Sequence, residues 1–387
     1  MKEIIKAKVK NIMKDLESIS KYLYDNPELG NQEFKGSKYL CDYLASQDFE
    51  VEAGICDTPT AFKATYDSKK EGPKVAFLCE YDALPGIGHG CGHNLIAAMG
   101  VGGALGLKAV IDEVGGSIVV FGTPAEETCG GKVTLASKNA FDGVTVAMIA
   151  HPSGVTKESG RTLAMHALEF EFFGKTAHAS GCPEKGINAL DAVITTFNNI
   201  NTLRQYMPKD SRVHGIISEG GKAPNIIPDY AVAKFYVRCA SKKQLEELSE
   251  KVINCAKVAS LATGAELKVS NFEFSNDNLI TNRELSEAFN SNLKDLGEEE
   301  IEKADAPSGS SDMGNVSHKV PSIHPMIGMG NKDLAGHTVE FAACTQSEKG
   351  KEALFKGACA LALTGYDVLT NKELTEKIVE EFKNSIA

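Results

Sequence analysis

Cys91 and His93 stand two residues apart in the run Gly90-Cys91-Gly92-His93-Asn94. A thiolate and an imidazole at that spacing can reach one metal centre if the glycines let the loop fold tightly. Further along, Glu126 and Glu127 are adjacent in Thr123-Pro124-Ala125-Glu126-Glu127. Neighbouring carboxylates beside a buried strand repel unless a cation neutralises them. His151-Pro152 and Gly336-His337-Thr338 add two more imidazoles. Taken singly, each is an ordinary loop residue, and a lone cysteine is more often packing than ligand. Jointly, sulfur, nitrogen and carboxylate donors suit zinc, manganese or a similar divalent ion.

These residues need elements to position them. The apolar runs 74–78, 117–121 and 144–150 read as strands, with a small-residue helix over 95–111 between the first two. Strand, helix, strand with apolar strands predicts an α/β fold of βαβ units around a mainly parallel, covered sheet. Such sheets bind ligands at the carboxyl ends of their strands. Glu80-Tyr81-Asp82, Glu126-Glu127 and His151 each follow one of these runs. Upstream, Ile5, Val9, Ile12, Leu16, Ile19 and Leu23 alternate by three and four, predicting a helix with one apolar face. A second helix is expected from about Glu33.

The middle of the chain changes character. Strand 166–173, helix 187–206, strands 213–218 and 230–239, helix 242–261 and strand 265–273 follow in turn. That β-α-β-β-α-β order is ferredoxin-like. It predicts an inserted domain over 164–275, dividing a domain made of 1–163 and 276–387. The last part reads as a helix over 283–296 and a strand-like run over 321–329. Thr345-Gln346-Ser347-Glu348 has the form of a capping box opening a long helix. A charged helix over 372–385 closes the chain.

Composition removes other functions. At 387 residues the chain fits two domains, and 42% hydrophobic residues can build a sizeable core. Acidic residues outnumber basic ones 52 to 41, for a net charge of −11. A nucleic-acid binder needs a basic face, and none is evident. No apolar run reaches the ~18 residues of a membrane span. The N-terminus has no apolar signal region, so a cytoplasmic location is expected. Ten scattered cysteines then read as reduced thiols. Competing motifs fail. In Gly86-Ile87-Gly88-His89-Gly90-Cys91 the cysteine occupies the third glycine of a dinucleotide loop, and Gly174-Lys175-Thr176 lacks its partner glycine, since position 169 is Glu169. Gly309-Ser310-Ser311-Asp312-Met313 ends in methionine where a nucleophile elbow needs glycine.

The chain resembles the M20 family of metallopeptidases, in its amidohydrolase branch, over nearly its whole length. The likeness is carried by Asn26-Pro27-Glu28-Leu29, Glu80-Tyr81-Asp82-Ala83-Leu84-Pro85, Gly90-Cys91-Gly92-His93-Asn94 and Thr123-Pro124-Ala125-Glu126-Glu127. Gly174-Lys175-Thr176-Ala177-His178-Ala179, Pro224-Asn225-Ile226-Ile227-Pro228, Ser311-Asp312-Met313-Gly314-Asn315-Val316-Ser317 and Gly336-His337-Thr338 extend it. The resemblance implies a zinc-peptidase-like catalytic domain and a ferredoxin-like lid that also forms a homodimer. It implies two divalent ions, zinc or manganese, on Cys91, His93, Glu127, His151 and His337, with Cys91 between them. Glu126 matches the general base and Asp82 the residue that orients a ligand. His178 matches an oxyanion stabiliser, and Asn225 and Arg238 match substrate-holding positions, Arg238 less closely. Without the resemblance, His178 reads as a surface histidine, and His166, His214, His318 and His324 read as ordinary ones.

The implied reaction is hydrolysis of an amide bond in a small carboxylate-bearing substrate, a dipeptide or an N-acyl amino acid. An aminobenzoyl-glutamate conjugate is the alternative substrate, and a non-catalytic binding protein the alternative class. A third alternative is redox control through Cys91. The chain departs from the family in having Glu80-Tyr81-Asp82 where many branches have His-x-Asp, Asn26 before Pro27, and Asn94 where many have aspartate.

Overall fold

The computed structural model describes residues 1–307 and 309–386. Their contacts divide the chain into two compact units, 1–161 with 279–387, and 162–278. The first unit opens with α1 (Lys2–Asn11) and α2 (Met13–Asp25). Ile5, Val9, Leu16, Ile19 and Leu23 are buried, as their spacing predicts. The helix nevertheless breaks at Ile12, where φ is −96° and ψ 6°. Next come α3 (Phe34–Ser46), β1 (Glu50–Ala53), β2 (Phe62–Asp67) and β3 (Lys74–Cys79). Then follow α4 (His93–Val114), β4 (Ser117–Gly122), α5 (Gly131–Ser137), β5 (Val146–Met148) and β6 (His151–Ser153).

The second unit contains β7 (Ala164–Phe173), α6 (Ala189–Leu203), β8 (Arg212–Glu219), β9 (Tyr230–Cys239), α7 (Lys242–Thr263) and β10 (Glu266–Asn271). The chain returns to the first unit through α8 (Arg283–Asp295), α9 (Met313–Ser317), β11 (Ser322–Ile323) and β12 (Met326–Gly328). It ends with α10 (Val339–Cys344), α11 (Glu348–Thr370) and α12 (Lys372–Ile386).

The main sheet of the first unit has the order β1-β2-β4-β3-β5-β11. The pairs β4–β3, β3–β5 and β5–β11 are parallel, while β1–β2 and β2–β4 are antiparallel. The fold is therefore α/β with a mainly parallel centre. Its core strands are fully apolar because both faces are covered: Val75, Ala76, Phe77 and Leu78 are all buried. β1 and β2 were not expected. They form an edge hairpin with charged residues, and β2 buries Phe62 and Ala64 while its partner β1 is largely exposed, so the apolar signal is short.

Two apolar runs divide. The run 144–150 becomes β5, and the chain then joins a second, two-stranded sheet as β6, paired in parallel with β12. The run 321–329 splits into β11 and β12 with Pro325 between them, a residue with no backbone donor for a ladder. The expected capping box does not form. The N-cap of α11 is Ser347, whose hydroxyl accepts from the Gly350 amide, and Thr345 instead donates to the Ala342 carbonyl.

Helix α4 carries the centre of this unit. It is long and apolar enough to cross a membrane, yet its apolar window is 89% buried inside the protein. No apolar run of that length was expected from the sequence, and burial of the helix inside the protein accounts for its length and apolar character. Gly102 and Gly106 let α11 approach closely. A Cβ at these positions would lie 2.7 Å from Ala358 Cβ and 2.9 Å from Ala362 Cβ.

In the second unit the sheet order is β10-β7-β9-β8, antiparallel throughout. With α6 and α7 the element order is βαββαβ. Asn188 caps α6 by accepting from Leu190, and Ser241 caps α7 by accepting from Gln244. Phe170, Phe172 and Phe235 fill the core of the unit.

Candidate active site

Parallel strands deliver their C-terminal ends to one edge. β3 ends at Cys79 and is followed by Glu80-Tyr81-Asp82; β4 ends at Gly122 and leads to Glu126-Glu127. β5 leads to His151, the first residue of β6. His93 is the first residue of α4, so this imidazole starts from a rigid element. His337 lies just before Thr338, the N-cap of α10.

These elements bring together seven of the expected residues, all from the first unit. The donor atoms of Cys91, His93 and His151 lie within 4.8 Å of one another. The same holds for Cys91, Glu127 and His337, and for His93, Glu126 and Glu127. Cys91 thus belongs to two donor triads at once. Its Sγ is 3.4 Å from His151 Nε2, and His337 Nε2 is 3.2 Å from Glu127 Oε1.

The outer nitrogens of the His93 and His151 imidazoles are tied back. His93 Nδ1 is 2.9 Å from Asp82 Oδ1, and His151 Nδ1 is 2.7 Å from the Pro152 carbonyl. Each ring therefore turns Nε2 toward the cluster, the arrangement that orients a metal-binding histidine. Asp82 Oδ2 also accepts from the Glu127 amide at 3.0 Å. His93 Nε2 and Glu127 Oε1 are buried and make no hydrogen bond, although Glu80 Oε2 lies 3.4 Å from the first and His337 Nε2 3.2 Å from the second. Buried polar atoms are seldom left so. The donors present, and these two buried atoms without a hydrogen bond, fit divalent cations.

Backbone conformation serves the same purpose. Gly92, between Cys91 and His93, has φ +82°, and a Cβ there would lie 2.4 Å from Pro152 Cγ. The tight loop expected from the glycines is present. Two non-glycine residues of the site also have left-handed φ, Ala125 at +61° and His337 at +62°.

The electrostatics are those of acids and imidazoles crowded out of water. Burial raises Glu126 well above the usual carboxylate range, and the charges of Glu80 and Asp312 push the same way. Burial pushes the Cys91 thiol up to about 12, against the pull of His93. Burial lowers His151 to about 4, leaving the neutral imidazole that a ligand requires. Burial opposes charge on His93, but Asp82 and Cys91 beside it hold it well above the ordinary histidine value.

Sequence reasoning missed a buried triad. The Lys132 ammonium, fully buried, lies 2.6 Å from Glu80 Oε1 and 2.7 Å from Asp312 Oδ1. The Lys132 amide also donates to Asp312 Oδ2. Burial works against charge on Glu80, yet Lys132 and His93 hold it down to about 2. A lysine closing the run Gly130-Gly131-Lys132, five residues after the acid pair, was the available signal. His324, read as ordinary, is also nearby: its ring centroid is 5.5 Å from that of His151, and its Nε2 is buried without a hydrogen bond. Asn94 is structural, donating to Ser20 and Thr345.

The other expected residues belong to the second unit. His178 and Asn225 are exposed and come from neighbouring segments: His178 bridges Ile226, and the Ala179 amide donates to the Asn225 carbonyl. Arg238 lies on β9 with its guanidinium 5.4 Å from the Tyr236 ring centroid.

Residues 76–358 match peptidase family M20/M25/M40. The chain is 39% identical over 386 residues to the Xaa-Arg dipeptidase of Mus musculus, across 95% of this chain and 89% of that one. It is 30% identical over 300 residues to a p-aminobenzoyl-glutamate hydrolase chain of Escherichia coli (strain K12), across 72% of this chain and 62% of that one. Its fold matches that of a dinuclear metal binding peptidase of the M20 family from Bacillus subtilis with a TM-score of 0.64 and 18% identity, covering 92% and 99% of the two chains.

Proposed function

The chain belongs to peptidase family M20/M25/M40, and from that premise we propose that it cleaves dipeptides or N-acyl amino acids with a free carboxylate. A dipeptide ending in arginine is the first substrate to test, given the relative that is an Xaa-Arg dipeptidase. An aminobenzoyl-glutamate-type amide is the second reading, favoured by the other relative. The observation that carries the reading is the pair of donor triads sharing Cys91, with Glu126 beside them.

Cys91, His93 and His151 would hold one divalent ion, and Cys91, Glu127 and His337 the other; zinc and manganese both suit these donors. Divalent ions held there would supply Lewis acidity, acidifying a water toward pKa ~7 and polarising the substrate carbonyl. Glu126 takes the proton of the attacking water and passes it to the leaving amine. Asp82 fixes the His93 ring through Nδ1 and pins the Glu127 amide with its other oxygen.

In the second unit, His178 would support the developing oxyanion, and Asn225 and Arg238 would hold the substrate carbonyl and carboxylate. This unit serves as lid and dimerisation domain. Strand β8 lies at its sheet edge and exposes Ile216 and Ile217, which supports a homodimer through that edge. All ten cysteines are unpaired, which fits a reducing compartment such as the cytoplasm.

The test is a mass-spectrometric panel of Xaa-Arg and other dipeptides, N-acyl amino acids and aminobenzoyl-glutamate. The protein is loaded separately with zinc and with manganese. Wild type should cleave one class, while Glu126→Gln should bind metal and turn over nothing. Near-normal rates in that variant would remove Glu126 as the base.

A further inference from the structure

We propose that Glu33 is a positioning residue for the hydrolytic base, holding Ala125 in a left-handed conformation and so aiming Glu126. The proposal rests on the reading of Glu126 given above. Glu33 precedes α3 but does not cap it with its side chain. Its carboxylate, fully buried, reaches instead to the loop after β4. Oε1 accepts from the Ala125 amide at 2.7 Å, and Oε2 accepts from the Thr60 hydroxyl at 3.1 Å.

Ala125 needs such a partner. Its φ of +61° brings Cβ close to its own carbonyl, a conformation that residues other than glycine rarely adopt. The Ala125 carbonyl is held as well, accepting from the Cys129 and Gly130 amides at 3.1 and 2.8 Å. Two positions on, the Glu127 amide donates to Asp82. Glu126 therefore lies between two anchored peptides, one fixed by Glu33 and the other by Asp82. Its side-chain direction follows from both anchors, and the Glu33 bond sets the unusual one.

The brace also reaches the end of β3. The Tyr81 hydroxyl donates to the Thr60 carbonyl at 2.6 Å, and Tyr81 sits between Glu80 and Asp82. One small network thus connects α3, Thr60, Tyr81 and the base loop. There is no room for slack around it: a Cβ on Gly30 would lie 2.1 Å from Thr128 Oγ1 in the same loop. A carboxylate without a cationic partner is a costly group to bury. An apolar residue would fill the space but could not accept from the Ala125 amide. Burial, with the charge of Asp82, raises Glu33 to about 7, so the neutral amide of glutamine is a fair substitute. Its carbonyl can accept from Ala125 while its NH2 donates to Thr60.

The experiment has a structural arm and a kinetic arm, both on the metal-loaded full chain. Crystal structures of Glu33→Ala and Glu33→Leu should show Ala125 leaving positive φ and the Glu126 carboxylate displaced. If Ala125 keeps its left-handed conformation in both, the proposal is overturned, whatever Glu126 does. Kinetics use alanyl-arginine. Glu33→Ala should lower kcat about a hundredfold, the scale of a misplaced catalytic group, with KM and metal content unchanged. Glu33→Gln should stay close to wild type. Adding Ala125→Gly to Glu33→Ala should restore much of the loss, because glycine adopts positive φ freely. An unchanged kcat, a loss confined to KM or metal content, or no gain from the glycine would each refute the positioning role. Where Glu33→Ala does not fold, Glu33→Leu, which fills the same space without an acceptor, decides by the same readings. If Glu126→Gln remains active, or wild type leaves alanyl-arginine intact, the functional reading fails, and the structural arm still decides Glu33.

Discussion

Lys132 shows how a single side chain can govern the charge of a site. Its ammonium is fully buried and meets two carboxylates, Glu80 and Asp312, at hydrogen-bond distance. Removing one member of such a group leaves the others charged and unpaired, at a cost of about 3–5 kcal/mol. Lys132→Met should therefore destabilise the protein by that order in denaturant unfolding, though methionine fills similar space. Glu33 allows a test by pH. Its folded pKa of about 7 exceeds the ordinary 4.5. The folded state thus holds a proton that the unfolded state has released, so the stability tied to that proton is complete below pH 4.5 and lost as pH rises through 7. Glu33→Gln has no such proton. Unfolding free energies measured from pH 4.5 to 8 should fall more steeply with pH in wild type than in Glu33→Gln.

At the scale of elements, the loop into α4 sets the metal donors. Cys91 and His93 flank Gly92, whose φ of +82° and contact with Pro152 leave no place for a Cβ. His151 immediately precedes that proline. Gly92→Ala would strain the loop and push the Cys91-His93 pair away from His151. Metal content by plasma mass spectrometry should fall below that of wild type, while far-ultraviolet dichroism stays close, because α4 itself is held by packing against α11 and the sheet. A wild-type metal complement in this variant would show that the loop tolerates more slack than its geometry indicates. The strand ends act likewise as a group: β3, β4 and β5 run parallel, so the residues after them converge without any single loop being long.

For the whole molecule, the testable issue is association. Strand β8 is the outer strand of the second unit's sheet, and Ile216 is 62% exposed there. An edge with exposed apolar residues invites pairing with another strand. Ile216→Lys with Ile217→Lys should shift light-scattering mass from dimer to monomer. A wild-type protein that is already monomeric would remove the dimer.

The kind of fold and most of the candidate donors were legible in the amino-acid sequence. Apolar strands covered on both faces leave uninterrupted runs, and helices leave a three-to-four repeat, so βαβ order and the inserted βαββαβ segment could be read directly. Cys91, His93, Glu126, Glu127 and His151 were visible because each follows a strand or a glycine, within a few residues of it. The edge hairpin β1–β2 was not visible, since only alternate residues of β2 meet the core. Folding alone brings Lys132 to Glu80 and Asp312 and Glu33 to Ala125, and it places Cys91, which the family resemblance puts between two ions, in two donor triads. These contacts join residues 36 to 246 positions apart: Cys91 to Glu127 and to His337, Glu80 to Lys132, Lys132 to Asp312, and Glu33 to Ala125. Local pattern carries no information about such pairs. They form on folding because a buried charge or amide left without a partner is costly, so packing favours arrangements that pair them.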